Sequence, residues 1–109
     1  MPVTLPEAET QEQTSTEKKN APLYNVIIFD DDEHSYAYVV EMMMNLFAMT
    51  PEEGFDVAYT VDHIGEATVM TVPHEEALEA YHKIIGYGPD HRMQNSKGSM
   101  SCTIKPADE

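Results

Sequence analysis

Three consecutive aspartates, Asp30 to Asp32, directly follow a short apolar run and form a dense group of carboxylates. His34 stands close behind them, and Asp62 and His63 form a second acidic and imidazole pair further along the chain. Carboxylate oxygens accept hydrogen bonds from an ammonium group, and together with imidazole nitrogens they can hold a divalent metal ion. The alternative without a ligand is a solvated turn and an exposed helix end, where a histidine suits the helix dipole.

The charge of the chain narrows the class of partner. The 109 residues include 20 acidic and 6 basic side chains, a formal net charge of -14, and no Lys or Arg occurs between Asn20 and His82. Such a chain repels phosphate groups, which argues against nucleic acid and anionic membranes as partners. The partners that fit are cationic: a free amine, a basic protein surface or a metal ion. An acidic excess that serves only solubility is the alternative.

Two signals place the acidic turn between a strand and a helix. The apolar and β-branched run from Tyr24 to Phe29 stops abruptly at Asp30. Its length and the change to aspartate at its end predict a strand. Ser35 is a good residue to cap the helix that follows. The apolar positions of that helix recur at spacings of three and four, as an amphipathic helix requires: Tyr36, Val39, Val40, Met43, Leu46 and Phe47.

The acidic and imidazole pair at residues 62–63 falls at the end of another predicted helix. Thr50 is a good N-cap, Pro51 suits the first helical position, and Glu53 completes a capping box. These signals predict a helix from Pro51 to about residue 63. Gly65 is placed to end it.

The rest of the chain predicts two more strands and one more helix. Residues 67–72 are rich in Thr and Val and read as a strand, and residues 74–85 read as a helix closed by Gly86. Residues 87–99 are predicted to be a loop. The last strand is predicted to bury one face, because three apolar residues alternate with polar ones: Met100, Cys102 and Ile104.

The element order is therefore β-α-α-β-α-β. This order predicts the α+β class, with a three-stranded antiparallel sheet and three helices on one face. Residues 23–109 are predicted to form this single domain. Residues 1–22 contain no aromatic residue and few aliphatic ones, so they are predicted to be a disordered N-terminal extension.

Other features predict the cellular compartment of the protein. Cys102 is the single cysteine, which excludes an intrachain disulfide and favours a reducing compartment. The sequence has no apolar run of membrane-spanning length and no secretory signal pattern at its start. We therefore expect a soluble, cytoplasmic monomer with no cofactor.

The acidic turn and its neighbours resemble a known family. Residues 24–32, Tyr-Asn-Val-Ile-Ile-Phe-Asp-Asp-Asp, resemble the first strand and acidic turn of ClpS adaptors, where the usual pattern is Tyr-x-Val-x-Leu-x-Asn-Asp-Asp. Residues 61–65, Val-Asp-His-Ile-Gly, stand where that family carries Val-His-x-x-Gly, and residues 101–104 resemble its closing strand. The resemblance spans roughly residues 22–107, and its specificity comes from the order and spacing of these motifs together.

The resemblance implies a function without catalysis. ClpS adaptors bind protein substrates whose first residue is bulky and hydrophobic, and hand them to a hexameric AAA+ unfoldase of the ClpA or ClpC type. Their disordered N-terminal extension takes part in delivery, and residues 1–22 match that extension in composition. The implied partners are the unfoldase and substrates with such N-terminal degrons.

The resemblance also implies which residues bind the substrate. Asp30, Asp31 and Asp62 fall on the three family positions that contact the α-amine. The family positions that line the pocket for the first side chain fall on six residues: His34, Tyr36, Val39, Ala58, Val61 and Met100. No residue is expected to be catalytic or to hold a metal.

Five of these positions depart from the family pattern. Asp30 replaces an amide and Asp62 replaces a histidine, which makes the amine site more negative than usual and still attractive to an ammonium. In the pocket, a threonine becomes His34, a gate methionine becomes Tyr36 and another methionine becomes Ala58. The resemblance therefore implies a divergent paralogue whose preference for the first residue has changed.

The docking surface for the unfoldase differs as well. The lysine that the family uses on its third helix has no counterpart, because residues 80–81 are Ala and Tyr.

Three rival interpretations stay open at this stage. The same fold could bind another ligand, such as a different N-terminal residue or a basic protein. The chain could instead be a metal-dependent enzyme or a metal-binding protein, with ligands drawn from Asp30 to Asp32, His34, Asp62 and His63, although no recognised ligand spacing occurs. It could also be a structural domain resembling the C-terminal domain of the ribosomal stalk protein.

Overall fold

A computed structural model describes residues 21–108, and these residues contain six elements in the predicted order. The α+β class and the β-α-α-β-α-β order are confirmed. The elements are β1 (Leu23–Phe29), α1 (Tyr36–Phe47), α2 (Pro51–Ile64), β2 (Glu66–Pro73), α3 (His74–Ile85) and β3 (Cys102–Pro106). The extension predicted for residues 1–22 lies outside the described residues, except for its last two positions. No helix in the described part of the chain is long and apolar enough to cross a bilayer.

The sheet has β1 in the centre, and β2 and β3 pair with it in the antiparallel sense. The register brings the end of β1 next to the start of the other two strands. The Phe29 amide donates to the Ser101 carbonyl at 3.1 Å, and the Asp30 amide donates to the Gly65 carbonyl at 2.9 Å. The acidic turn therefore leaves the sheet at the point where α2 ends and β3 begins.

The apolar core lies between the sheet and the helices. Val26 and Ile28 of β1, Met42 and Met43 of α1, and Ile84 of α3 are all completely buried. Burial of each such side chain is worth about 1.5–3 kcal/mol. These side chains belong to one contiguous core.

The helix starts follow the capping signals in the sequence. The Ser35 hydroxyl accepts from the Tyr38 amide at 3.2 Å. Thr50 and Glu53 form the predicted capping box: the Thr50 hydroxyl accepts from the Glu53 amide at 3.1 Å, and the Glu53 carboxylate accepts from the Thr50 amide at 2.9 Å. The predicted Gly65 ends α2 in the left-handed conformation, with φ of 101°. These bonds are local, which is why the sequence predicts them.

A glycine inside α2 lets two helices approach closely. A Cβ atom at Gly54 would stand 3.1 Å from the Val40 carbonyl oxygen and 3.2 Å from the Val40 Cα. No larger residue fits between the backbones of α1 and α2 at that point without a shift. The close approach holds the start of α2 against the middle of α1.

The structure corrects two details of the predicted pattern. β3 begins at Cys102, two residues later than the alternation suggested, and Met100 is buried in the preceding loop. The buried face of α1 also differs from the predicted apolar stripe. Tyr38 and Met42 are buried, whereas Tyr36 is only partly buried. The reason is the α3–β3 loop, residues 86–101, which covers a second side of α1 and accepts a hydrogen bond from the Tyr38 hydroxyl at the Gly88 carbonyl, 2.6 Å away.

Candidate functional site

A cavity of about 120 Å³ lies between the acidic turn, the start of α1 and the last turns of α2. All nine residues that the resemblance assigned to substrate binding line it, and Asp32 and Ser35 line it as well. The full set is Asp30, Asp31, Asp32, His34, Ser35, Tyr36, Val39, Ala58, Val61, Asp62 and Met100. The cavity is smaller than the roughly 300–1,000 Å³ of pockets for drug-sized ligands. Its size suits an amine and a single side chain.

The walls divide into an apolar floor and an acidic mouth. Val39, Ala58, Val61 and Met100 are each at most 3% exposed and form the floor. The carboxylates lie nearer solvent: the Asp62 side chain is 50% exposed and that of Asp31 is 29% exposed. The exposed surface of the cavity is therefore mostly polar and offers acceptors for a cation, and the four apolar side chains lie buried beneath it.

The Asp31 carboxylate is held in place by its neighbours. Its two oxygens lie 2.8 and 2.9 Å from Nδ1 of His34, and Oδ1 also accepts from the Glu33 amide at 2.8 Å. The other ring nitrogen of His34, Nε2, lies 2.7 Å from the Gly98 carbonyl oxygen. Both ring nitrogens of His34 are therefore within hydrogen-bonding distance of protein atoms, which fixes the orientation of the ring.

His34 therefore does more than line the cavity. Its side chain is only 3% exposed, and it connects the acidic turn to the α3–β3 loop. The resemblance assigned this residue to the side-chain pocket, and the structure places it on the wall of the cavity. Its hydrogen bonds with Asp31 reduce the apolar character of that wall.

Tyr36 and Asp62 close one side of the cavity mouth. The Tyr36 hydroxyl donates to Oδ2 of Asp62 at 3.0 Å, which joins the first turn of α1 to the last turn of α2. Desolvation and then the Asp62 carboxylate raise the pKa of Tyr36 above its usual value. The phenol thus stays a neutral donor, and one lone pair of Asp62 is occupied by it.

The electrostatic character of the cavity is acidic. Four aspartates line it against one imidazole, and within residues 21–108 no Lys or Arg takes part in the lining. An ammonium group would be drawn to such a site. In the same part of the chain, no three His, Cys, Asp or Glu side chains are arranged to hold a metal ion.

Sequence reasoning missed Asp90, which anchors the α3–β3 loop to the start of α1. Its side chain is fully buried, and Oδ2 accepts from the Ser35 amide at 2.8 Å and from the Ser35 hydroxyl at 2.7 Å. Oδ1 accepts from the Arg92 amide at 3.0 Å. Burial alone would raise the pKa of Asp90, but the hydrogen bonds from Ser35 and Arg92 outweigh it and lower the pKa to about 2.

The loop has a second connection to the same helix. The Arg92 guanidinium pairs with Glu41 on α1 and also contacts Asp90. In the sequence, Asp90 follows Gly88 and Pro89 and reads only as a turn residue. No local signal pointed to Ser35, which is 55 positions away.

Comparisons with known proteins agree with this fold. The sequence pattern of the family described as "ATP-dependent Clp protease adaptor protein ClpS" matches residues 19–99. The ClpS adapter protein of Ruegeria pomeroyi is 27% identical over 96 residues, which cover 88% of this chain and 80% of that protein. The ClpS adapter protein of Thermosynechococcus vestitus is 30% identical over 80 residues, 72% of this chain and 84% of that protein.

A solved structure has the same fold. Agrobacterium tumefaciens ClpS2, solved with L-phenylalaninamide bound, matches with a TM-score of 0.68 at 21% sequence identity, over 80% of this chain and 99% of that one. The element order, the sheet and the match to the family pattern over residues 19–99 lead to one conclusion. This chain belongs to the ClpS family of ATP-dependent Clp protease adaptor proteins.

Proposed function

We propose that this protein is a non-enzymatic adaptor that binds substrates by their free N-terminal amine and first side chain, and delivers them to an AAA+ unfoldase of the ClpA or ClpC type. One observation carries the proposal: an acidic mouth above an apolar floor, built by the nine residues that the family resemblance selects. A protein N-terminus is an ammonium attached to a side chain: the carboxylates would bind the ammonium, and the apolar residues beneath them would contact the side chain.

The carboxylates would divide the binding of the amine among them. Asp30 and Asp62 are exposed enough to accept hydrogen bonds from an ammonium. Asp31 contributes a carboxylate whose orientation is already set by His34, so little ordering is lost when the ligand binds. The first side chain would enter between Val39, Ala58, Val61 and Met100.

The solved relative gives support by analogy. L-phenylalaninamide, the ligand in the Agrobacterium ClpS2 structure, is an amino-acid amide with a free α-amine and one bulky side chain. A cavity at the same place in this fold would take the same part of a peptide. The second candidate function is an adaptor that prefers a different first residue. The departures at His34, Tyr36 and Ala58 favour it, because the wall that His34 forms is polar here.

Delivery to an unfoldase rests on family membership and would take place in the cytoplasm. The third helix, where the family docks the unfoldase, has Ala80 buried and Tyr81 partly exposed in place of a lysine. The docking contact would therefore differ in detail from that of other family members. Pull-down with a purified ClpA-type or ClpC-type unfoldase tests this part of the proposal separately from peptide binding.

The deciding experiment is fluorescence anisotropy with labelled peptides that differ only in their first residue, each prepared with a free and with an acetylated amine. We expect dissociation constants in the micromolar range or weaker for at least one free peptide and no binding of its acetylated form. Equal binding of the free and blocked peptides would rule out recognition of the amine.

A matched pair of variants locates the binding. Asp62→Asn removes one charge from the cavity mouth and should weaken binding about tenfold, the cost of one charge-assisted hydrogen bond. Glu79→Gln removes one charge from the exposed side of α3 and should leave the affinity unchanged. The same loss in both variants would mean that only the net charge of the protein attracts the peptide.

A further inference from the structure

The outer side of α2 carries an exposed group of aromatic rings next to the cavity. We call it the aromatic patch and define it by Tyr36, Phe55, Tyr59, Asp62 and His63. Phe55 and Tyr59 are 50% and 51% exposed. The centroids of Tyr36 and Phe55 are 5.6 Å apart, those of Phe55 and Tyr59 are 6.4 Å apart, and Tyr59 stacks on His63 at 3.9 Å. The patch is thus a continuous surface of ring faces and edges.

Carboxylates accompany these rings along the helix. Glu52 and Asp56 are exposed and precede Phe55 and Tyr59 by three positions, so each lies on the same side of α2 as the ring that follows it. Asp62 closes the far end of the patch. The α2 sequence contains no Lys or Arg to neutralise them. Exposed aromatic faces between carboxylates favour a cation that is also flat and polarisable.

The patch is continuous with the cavity. Tyr36 and Asp62 line the cavity and are joined by a 3.0 Å hydrogen bond, so they belong to both surfaces. On the opposite side, the α3–β3 loop closes over His34 and Ser35 through Gly98 and Asp90. A peptide whose amine is bound at the acidic mouth therefore has the α2 side open to it.

The place where the patch meets the cavity decides which substrate residues it can contact. An extended chain advances at most about 3.3–3.6 Å per residue. The second and third residues would thus follow the bound amine directly, at the edge where Tyr36 and Asp62 join the cavity to the patch. The ring steps of 5.6 and 6.4 Å together span at most about 12 Å, so residues beyond the fifth would lie past the patch.

We propose that the aromatic patch binds the side chains of the second and third residues of the substrate and selects arginine there. The guanidinium group stacks on the ring of Phe55 or Tyr59 while its N–H groups donate to Asp56 or Asp62. This inference rests on the proposed function and adds a second level of specificity to it. A glutamate at the same positions meets the carboxylates of α2 and is disfavoured.

Fluorescence anisotropy with one fixed first residue tests the inference. The peptides carry Arg, the uncharged isostere citrulline, or Glu at the second, the third or the sixth position. We expect Arg to bind about threefold to tenfold more tightly than citrulline at the second or third position, and no difference at the sixth. Tyr59→Ala should remove most of this preference.

The matched control is Ile64→Ala, which truncates a 73% exposed aliphatic residue at the end of the same helix and should keep the preference for Arg. Equal affinities for the Arg and citrulline peptides would overturn the inference. A preference for Arg that persists in Tyr59→Ala and in Phe55→Ala would also overturn it, and in both cases the binding of free amines would still stand. Failure of every free-amine peptide to bind would instead overturn the proposed function and this inference with it.

Discussion

Replacing Asp90 by asparagine should lower the free energy of unfolding at pH 7 by about 2 kcal/mol. The native hydrogen bonds from Ser35 and Arg92 hold the pKa of Asp90 at about 2, against an ordinary value of 3.8. The difference between these two pKa values corresponds to about 2 kcal/mol of stabilisation of the charged carboxylate in the folded state. Asparagine has no charge, and its side-chain N–H group would face one of the donors of Ser35 or Arg92. The stabilisation by the charged carboxylate is therefore lost.

The pH dependence gives the sharper test of the same reasoning. Because the folded-state pKa is lowered, the contribution of Asp90 is fully present above pH about 3.8 and is lost as the pH falls toward 2. The difference in unfolding free energy between the wild-type protein and Asp90→Asn should therefore be constant from pH 7 to about 5, and should shrink by about 2 kcal/mol as the pH falls to about 2.

Urea unfolding followed by circular dichroism measures both effects, since the chain has no tryptophan. Asp108→Asn is the matched control, because Asp108 is exposed near the end of the described chain and should change the stability little at any pH. A loss below about 0.5 kcal/mol for Asp90→Asn, or a loss that persists unchanged at pH 2, would refute the assignment of the low pKa to these hydrogen bonds.

Two further predictions concern the contact between α1 and α2 and the acidic turn. Gly54→Val should lower the unfolding free energy by about 2 kcal/mol in a thermal or urea melt, because its side chain would press on the backbone of α1, whereas a Cβ atom at Gly98 meets no atom within 4 Å and Gly98→Val should change it far less; equal losses would contradict the close helix contact. Asp31→Ala should weaken peptide binding far more than Asp32→Ala, because Asp31 also holds the ring of His34 on the cavity wall; matching dissociation constants in an anisotropy titration would show that the two aspartates do not differ in role.

Several features of this protein could be predicted from the sequence alone. The helix starts at Ser35 and Thr50 and the stop at Gly65 depend on bonds that span only a few residues, so the residue types reveal them directly. The strand that ends at the acidic turn is likewise marked by an abrupt change from apolar residues to aspartate. With the order of the elements, these local signals sufficed for the fold class.

The set of residues around the cavity was also predictable, but for a different reason. The acidic turn and the Val-Asp-His-Ile-Gly segment matched the pattern of a family, and that pattern carried the nine positions with it. Their roles in binding stay a prediction. Phe55 and Tyr59 are not among these nine positions, and the aromatic patch became visible only when ring distances were available.

The long-range contacts were decided by the tertiary structure. Asp90 is hydrogen-bonded to Ser35, 55 positions away, and His34 to Gly98, 64 positions away. The residue types alone do not predict these partners. A loop residue can lie against any element until the sheet and helices bring two chain segments together, so no local pattern encodes such a pair. The sequence by itself therefore determined the elements and the acidic character of the site, whereas folding decided which carboxylates are free to meet a cation and which are already held by the protein.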